Sequence, residues 1–269
     1  MTLNIYPFEL KDTFECGQCF RWNETPDGSY TGVAFGKVLN IKKTEQGIVL
    51  SDDSDLWKDY FDLKTDYNYI MKELSVDSIM TEATKKSHGI RILKQELSET
   101  IVSFIISQNN NIPRIKNIIE NLCSKFGKNL GNGYFSFPEM EVLANLTPDD
   151  LSFLKAGYRD SYIIDAAKKI CSNQLDTDII INAPIEEARA EISKIKGVGP
   201  KVADCILLFG ASRTEVFPTD VWMKKVLTTF YGFETLTPKE INKFANEKFG
   251  TLAGYAQQYL FNLARVNKI

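Results

Sequence analysis

Two side chains in this sequence are typed and spaced for nucleophilic chemistry: Lys201 and, nineteen residues further on, Asp220. Lys201 closes the run Ile195-Lys196-Gly197-Val198-Gly199-Pro200-Lys201. A helix is expected to end there, turn on two glycines and restart, with Gly199 as N-cap and Pro200 in the first helical position. Lys201 then stands in the first turn of the new helix. There the positive end of the helix dipole, and partial burial, favour the amine, which is the nucleophilic form. Asp220 ends Phe217-Pro218-Thr219-Asp220, just before a helix expected from Val221. A carboxylate at that place caps the helix, and it can also face a cation forming on a bound sugar. The glycines let the backbone approach a ligand closely, and the unpaired N–H groups of a helix start can hold a phosphate without reading sequence. From these residues alone a plain helix–helix turn and an ordinary capping aspartate stay open.

The frame that must position them reads as α+β. Residues 1–80 form an N-terminal antiparallel β-sheet domain, with strands expected at Cys19–Trp22, Tyr30–Phe35 and Gly47–Leu50 and turns at Pro26-Asp27-Gly28 and Gln46-Gly47. Helical material is expected at Asp66–Leu74. Residues 81–269 form an all-helical body, its helices expected at Glu99–Gln108, Ile112–Phe126, Asp149–Ala156, Tyr162–Cys171, Ile185–Lys194, Pro200–Gly210, Val221–Tyr231, Pro238–Phe249 and Ala253–Val266. The helix-hairpin-helix falls at about 188–210. Hydrophobic content of 43% and charged content of 25% fit an ordinary globular chain, and no apolar run is long enough to span a bilayer. Met1–Lys11 lacks a secretory start, so a cytoplasmic protein is expected. Its compact, Lys/Asn/Ile-rich make-up suggests a bacterial or archaeal source. The five cysteines are too few and odd in number for a disulfide framework. Cys16-Gly-Gln-Cys19 has redox or zinc spacing, but no second cysteine pair exists and His88 is the only histidine. The net charge of −3 gives no general attraction to nucleic acid, so any such partner must meet a local surface.

Gly197-Val198-Gly199-Pro200-Lys201-Val202-Ala203-Asp204-Cys205 followed by Pro218-Thr219-Asp220 resembles the helix-hairpin-helix, Gly/Pro-rich loop, Asp signature of base-excision DNA glycosylases. Within that superfamily it is similar to the 8-oxoguanine DNA glycosylase/AP lyase branch, and the similarity runs from about Phe14 to Phe261. The resemblance implies that Lys201 is the nucleophile, Asp220 the electrostatic partner, and the backbone of Gly197, Gly199 and Val202 the phosphate site. Gly17-Gln18-Cys19-Phe20-Arg21-Trp22 resembles the family segment whose glycine carbonyl accepts a hydrogen bond from N7–H of the oxidised base, which makes Cys16 and Cys19 packed wall residues. Guanine has a lone pair at N7, so the same carbonyl would be repelled and left unpaired. Gln257 and Phe261 share a helix face and would read and stack on the lesion, with Cys205 and Pro218 completing the pocket. Asn109-Asn110-Asn111-Ile112-Pro113-Arg114 and Gly157-Tyr158-Arg159 match the elements that fill the gap of the extruded base, wedge the stack and face the orphaned cytosine. On this reading Asn109 is the filler, Tyr158 the wedge, and Arg114 and Arg159 the cytosine contacts, since arginine offers only donors to cytosine N3 and O2.

The resemblance therefore implies a monomeric enzyme that excises 8-oxoguanine, preferentially opposite cytosine, from double-stranded DNA, then cuts the strand by β-elimination through a lysine Schiff base. No cofactor is implied. A monovalent cation on the carbonyls of Ser193, Ile195 and Val198 is the one ion the family pattern suggests. Two departures stand out. Trp222 occupies the place where relatives often carry a histidine, and Ala264 the place of its aspartate partner, so one phosphate contact is expected to be lost or to be replaced by Lys224 or Lys225. The rival readings are an alkylated-base glycosylase of the same superfamily, which has no need of Lys201, and a non-catalytic helix-hairpin-helix DNA-binding module, which needs neither Lys201 nor Asp220.

Overall fold

The computed structural model describes residues 2–3, 5–234 and 237–267. Strands β1 (Thr2–Leu3), β2 (Trp22–Glu24), β3 (Tyr30–Ala34), β4 (Lys37–Thr44) and β5 (Gly47–Leu50) form an antiparallel sheet in the order β1-β5-β4-β3-β2. Strand β4 was not expected from the sequence. Its lysines obscure an alternation in which Leu39 and Ile41 point inward. The sheet closes over aromatic rings: Trp22 stacks on Phe14 with centroids 4.4 Å apart and donates its indole N–H to Tyr60 at 2.8 Å. Gly32, paired with Trp22 across the sheet, makes room for that indole, because a Cβ there would sit 2.3 Å from it.

The strand expected at Cys19–Trp22 begins only at Trp22. Residues 17–21 form a buried irregular segment, and the cause is Gln18. Its amide donates to the carbonyls of Thr13 at 2.9 Å and Arg91 at 2.8 Å, and its Oε1 accepts from the Leu93 N–H at 2.9 Å. One side chain thus satisfies backbone groups that a neighbouring strand would otherwise satisfy.

A second, helical core starts at Tyr67–Leu74, capped by Asp66, and takes in Phe20 from the sheet side, while Leu93 returns to the sheet core. The two cores therefore interlock. Arg91 joins them: its buried guanidinium donates to the carbonyls of Pro7 at 3.2 Å and Asp62 at 2.7 Å and lies 4.4 Å from the Tyr67 ring centre. The buried helix Leu97–Ser107 is the body's axis. Helix Pro200–Gly210 packs against it, and Gly210 permits the approach, since a Cβ there would lie 2.9 Å from Thr100 Cβ. The final helix, Ala253–Asn267, lies across Ser78–Lys86. No helix among the described residues is long and apolar enough to cross a membrane.

Candidate active site

The hairpin joins helix Ile185–Ile192 to helix Pro200–Gly210. Gly199 is the N-cap and Pro200 the first helical residue, as the sequence predicts. The two glycines are needed for different reasons. Gly197 has φ of 78°, and a Cβ would lie 2.1 Å from the Tyr162 ring, so the interior itself demands glycine. Gly199 has ordinary extended angles and nothing within 4 Å of an added Cβ. Only something outside the chain would make a side chain there costly. Asp165 fixes the turn by accepting the Lys196 N–H at 2.7 Å. Among the described residues, the backbone N–H groups of Gly197, Gly199 and Val202 donate to no acceptor, which leaves a cluster of donors at a helix start. The carbonyls of Ser193 and Val198 likewise accept no backbone N–H there, whereas that of Ile195 accepts from Val198 at 3.1 Å. Three carbonyl oxygens on one turn suit a hard monovalent cation.

Lys201 emerges half-buried from this turn and forms no ion pair among the described residues. Its amine lies 5.6 Å from the centre of the Phe104 ring. Asp220 caps helix Val221–Tyr231, its Oδ1 accepting the Met223 N–H at 2.8 Å. Lys201 and Asp220 border one open cleft together with Gly17, Cys205, Pro218, Gln257 and Phe261. The catalytic pair and the five expected pocket residues, drawn from distant parts of the sequence, therefore meet. Burial pushes the Cys205 thiol up to about 11, against the pull of the neighbouring Lys201 charge, so it offers an uncharged sulfur surface. Gly17 sits at φ of 85°, held in place by the network around Gln18. Cys16 and Cys19 are buried free thiols, both raised by burial, and no group of three potential metal ligands exists among the described residues.

Cys16 borders the cleft as an expected wall residue, whereas Phe104, Phe209 and Gln258 also border it and were not anticipated. Phe104 and Phe209 stack across the two central helices at 5.4 Å and read in sequence as ordinary core. Gln258 had a signal: it is a second buried polar residue directly beside Gln257 on the final helix.

The wedge elements come together on the chain Gln108–Arg114 and the start of helix Arg159–Cys171. The three asparagines divide the labour. Asn109 takes a left-handed φ of 46° at the exposed tip, Asn110 donates to the Ile106 carbonyl at 3.1 Å, and Asn111 caps the next helix through the Arg114 N–H at 3.0 Å. Tyr158 is 50% exposed and packs on Tyr162, the ring beneath Gly197, so wedge and hairpin share one aromatic support. Arg114 is exposed and donates to the Lys155 carbonyl at 2.8 Å. Arg159 is placed differently from the expectation of a cytosine contact. It is 5% exposed, and its guanidinium is engaged by the carbonyls of Ala156 at 2.8 Å, Gln108 at 3.0 Å and Asn109 at 3.1 Å. In this structure it holds the asparagine turn.

Trp222 is 57% exposed, with Lys225 5.8 Å from its ring. Ala264 is buried, so an aspartate there would need a polar partner that Trp222 does not provide.

A glycine-rich hairpin between two helices, bordering one cleft with a helix-capping aspartate, is the arrangement of the helix-hairpin-helix class of base-excision repair proteins. The chain belongs to the 8-oxoguanine DNA glycosylase family of that class. Residues 1–101 match the model of the 8-oxoguanine DNA glycosylase N-terminal domain, and residues 102–250 match that of the HhH-GPD superfamily of base excision DNA repair proteins. An N-glycosylase/DNA lyase of Saccharomyces cerevisiae is 30% identical over 97% of this chain and 85% of that protein. The 8-oxoguanine glycosylase/lyase of Clostridium acetobutylicum, solved in complex with double-stranded DNA containing cytosine opposite 8-oxoguanine, superposes with a TM-score of 0.93 at 42% identity, covering 98% of this chain and 94% of that one. The 3-methyladenine DNA-glycosylase of Archaeoglobus fulgidus shares the fold at 17% identity and a TM-score of 0.78.

Proposed function

We propose that this chain is a DNA N-glycosylase and AP lyase that removes 8-oxoguanine from duplex DNA, preferentially opposite cytosine, with Lys201 as nucleophile. The observation that carries this reading is an amine without an ion-pair partner, set beside Asp220 in a cleft walled by Gly17, Cys205, Gln257 and Phe261. A duplex must be opened for such a cleft to reach a base, so the lesion is extruded into it. The donor cluster at Gly197, Gly199 and Val202 holds a backbone phosphate, and Tyr158 and Asn109 fill the stack left behind.

In the first step the Lys201 nitrogen bonds to C1′ as the C1′–N9 bond breaks. The base leaves with the bonding pair and takes a proton. Asp220 stabilises the positive charge that develops on the sugar ring. Ring opening at C1′–O4′ then gives the imine. Loss of a C2′ proton pushes electrons toward C3′ and expels the 3′ phosphate, and hydrolysis of the imine frees Lys201. Arg114, exposed beside the asparagine turn, is the side chain best placed to donate to an unpaired cytosine, and Arg159 supports it from below. The carbonyls of Ser193, Ile195 and Val198 would hold a monovalent cation that steadies the hairpin, without a part in bond breaking.

Borohydride reduction during turnover tests the reading. A covalent protein–DNA adduct should form on an 8-oxoguanine:cytosine duplex. An alkylated-base glycosylase using water, or a hairpin that only binds DNA, would give none.

A further inference from the structure

We infer that Gln258 is a second reader of the base in the cleft, working as a pair with Gln257; the inference rests on the lesion reading above. The two glutamines are consecutive on helix Ala253–Asn267, and both are buried, Gln258 with 4% of its surface exposed. The Gln258 amide donates to Gln257 Oε1 at 2.7 Å. That bond engages one lone pair of Gln257 Oε1 and one N–H of Gln258. Among the described residues, the Gln257 amide N–H₂ and Gln258 Oε1 have no partner at all. Gln258 Oε1 is buried and has no hydrogen-bond partner among the described residues, yet Gln258 borders the same cleft as Lys201 and Asp220. A buried carbonyl without a donor is costly, and a ligand that brings an N–H to it relieves that cost.

The pair therefore presents one donor and one acceptor, in fixed relation, to whatever enters. A guanine-type Watson–Crick edge offers an acceptor at O6 and donors at N1 and the exocyclic amine, which matches Gln257 N–H₂ and Gln258 C=O. An adenine-type edge offers a donor at position 6 and an acceptor at N1, the opposite polarity. Gln258 would thus confine the cleft to guanine-type lesions and leave the distinction between 8-oxoguanine and guanine to Gly17. The bond to Gln258 also fixes which end of the Gln257 amide faces the base.

The test is single-turnover excision of 8-oxoguanine by Gln258→Met, a variant of similar volume, beside cleavage of a preformed abasic site, where no base is present to be read. Excision should fall by about 10- to 100-fold, while abasic-site cleavage stays within about twofold of the parent. Unchanged excision, or an equal fall in both reactions, overturns the inference. A parent enzyme that leaves the 8-oxoguanine duplex uncut removes instead the function on which the inference rests. Should Gln258→Met fail to fold, the unaltered enzyme still decides: 8-oxoadenine must be excised more slowly than 8-oxoguanine opposite the same base, and equal rates overturn the assignment.

Discussion

The two sides of this site handle their polar groups in opposite ways. On the cleft side, groups that could be paired are left open: among the described residues Lys201 has no carboxylate partner, Gln258 Oε1 has no donor, and the hairpin N–H groups point to no acceptor. On the wedge side the main groups are closed: Arg159 serves three carbonyls, Asn110 and Asn111 satisfy helix ends, and Tyr158 rests on Tyr162, while Gln108 Nε2 and Asp160 Oδ1 are buried without a partner among the described residues. The cleft keeps its interactions for a ligand whose bonds change. On the proposed reading the wedge only has to hold shape against a stacked duplex, and the bonds of Arg159 and the asparagines stiffen it.

The largest effect should come from the open side. Lys201→Gln should lower base release by at least about a thousandfold while duplex binding stays within a few-fold, as read by single-turnover kinetics and titration of labelled DNA. Normal cleavage by that variant would move the nucleophile elsewhere. Asp220→Asn should cost about 10²- to 10³-fold in the same assay. Asparagine caps helices as well as aspartate, so the bond to the Met223 N–H should persist and the melting temperature should hold. A matching loss of stability would make Asp220 a structural cap and nothing more.

The two arginines then set open against closed within the wedge. Arg159→Ala removes the partner of three carbonyls and should destabilise the fold by about 1–3 kcal/mol, seen in urea denaturation. Arg114→Ala should leave stability within about 0.5 kcal/mol and flatten the preference for cytosine, measured as excision opposite each of the four bases. If Arg114→Ala unfolds the protein and Arg159→Ala does not, the assignment of the two roles is reversed.

The sequence made the chemistry more legible than the frame. Gly199-Pro200-Lys201 and Thr219-Asp220 obey local rules of helix starts, and local rules survive without tertiary knowledge. The resemblance then brought Gly17, Gln257 and Phe261 to one cleft, which no spacing rule could do across so many residues. What stayed hidden depends on contacts distant in sequence. Strand β4 reads as polar because Lys37, Lys42 and Lys43 sit at its two ends around the buried Leu39 and Ile41. Residues 17–21 look like a strand because the side chain that replaces their ladder, Gln18, binds residues more than seventy positions away. Arg159 read as a cytosine contact because its three carbonyl partners lie in a turn and a loop whose approach only the fold determines. The short helices Asp55–Tyr60, Ser78–Lys86 and Thr177–Asn182 carry too few turns for a periodic signal.

The smallest effect separates cleft from surface through the thiols. Of the five cysteines, Cys171 is exposed, whereas Cys16, Cys19, Cys123 and Cys205 are buried. Burial raises Cys16 and Cys205 to about 11 and Cys123 to about 12, and Cys19 well above its ordinary value. Only the thiolate reacts, and a raised pKa keeps these groups protonated until the pH approaches it. At pH 8 a disulfide reagent should therefore titrate one thiol rapidly in the folded enzyme and all five in denaturant. Cys205 carries the finer test. Burial raises it and the Lys201 charge pulls it back, so Lys201→Gln should raise it further and slow its residual alkylation relative to the parent. A faster reaction at Cys205 in that variant would mean that the lysine shields the sulfur by packing, and that the cleft is more open than its lining suggests.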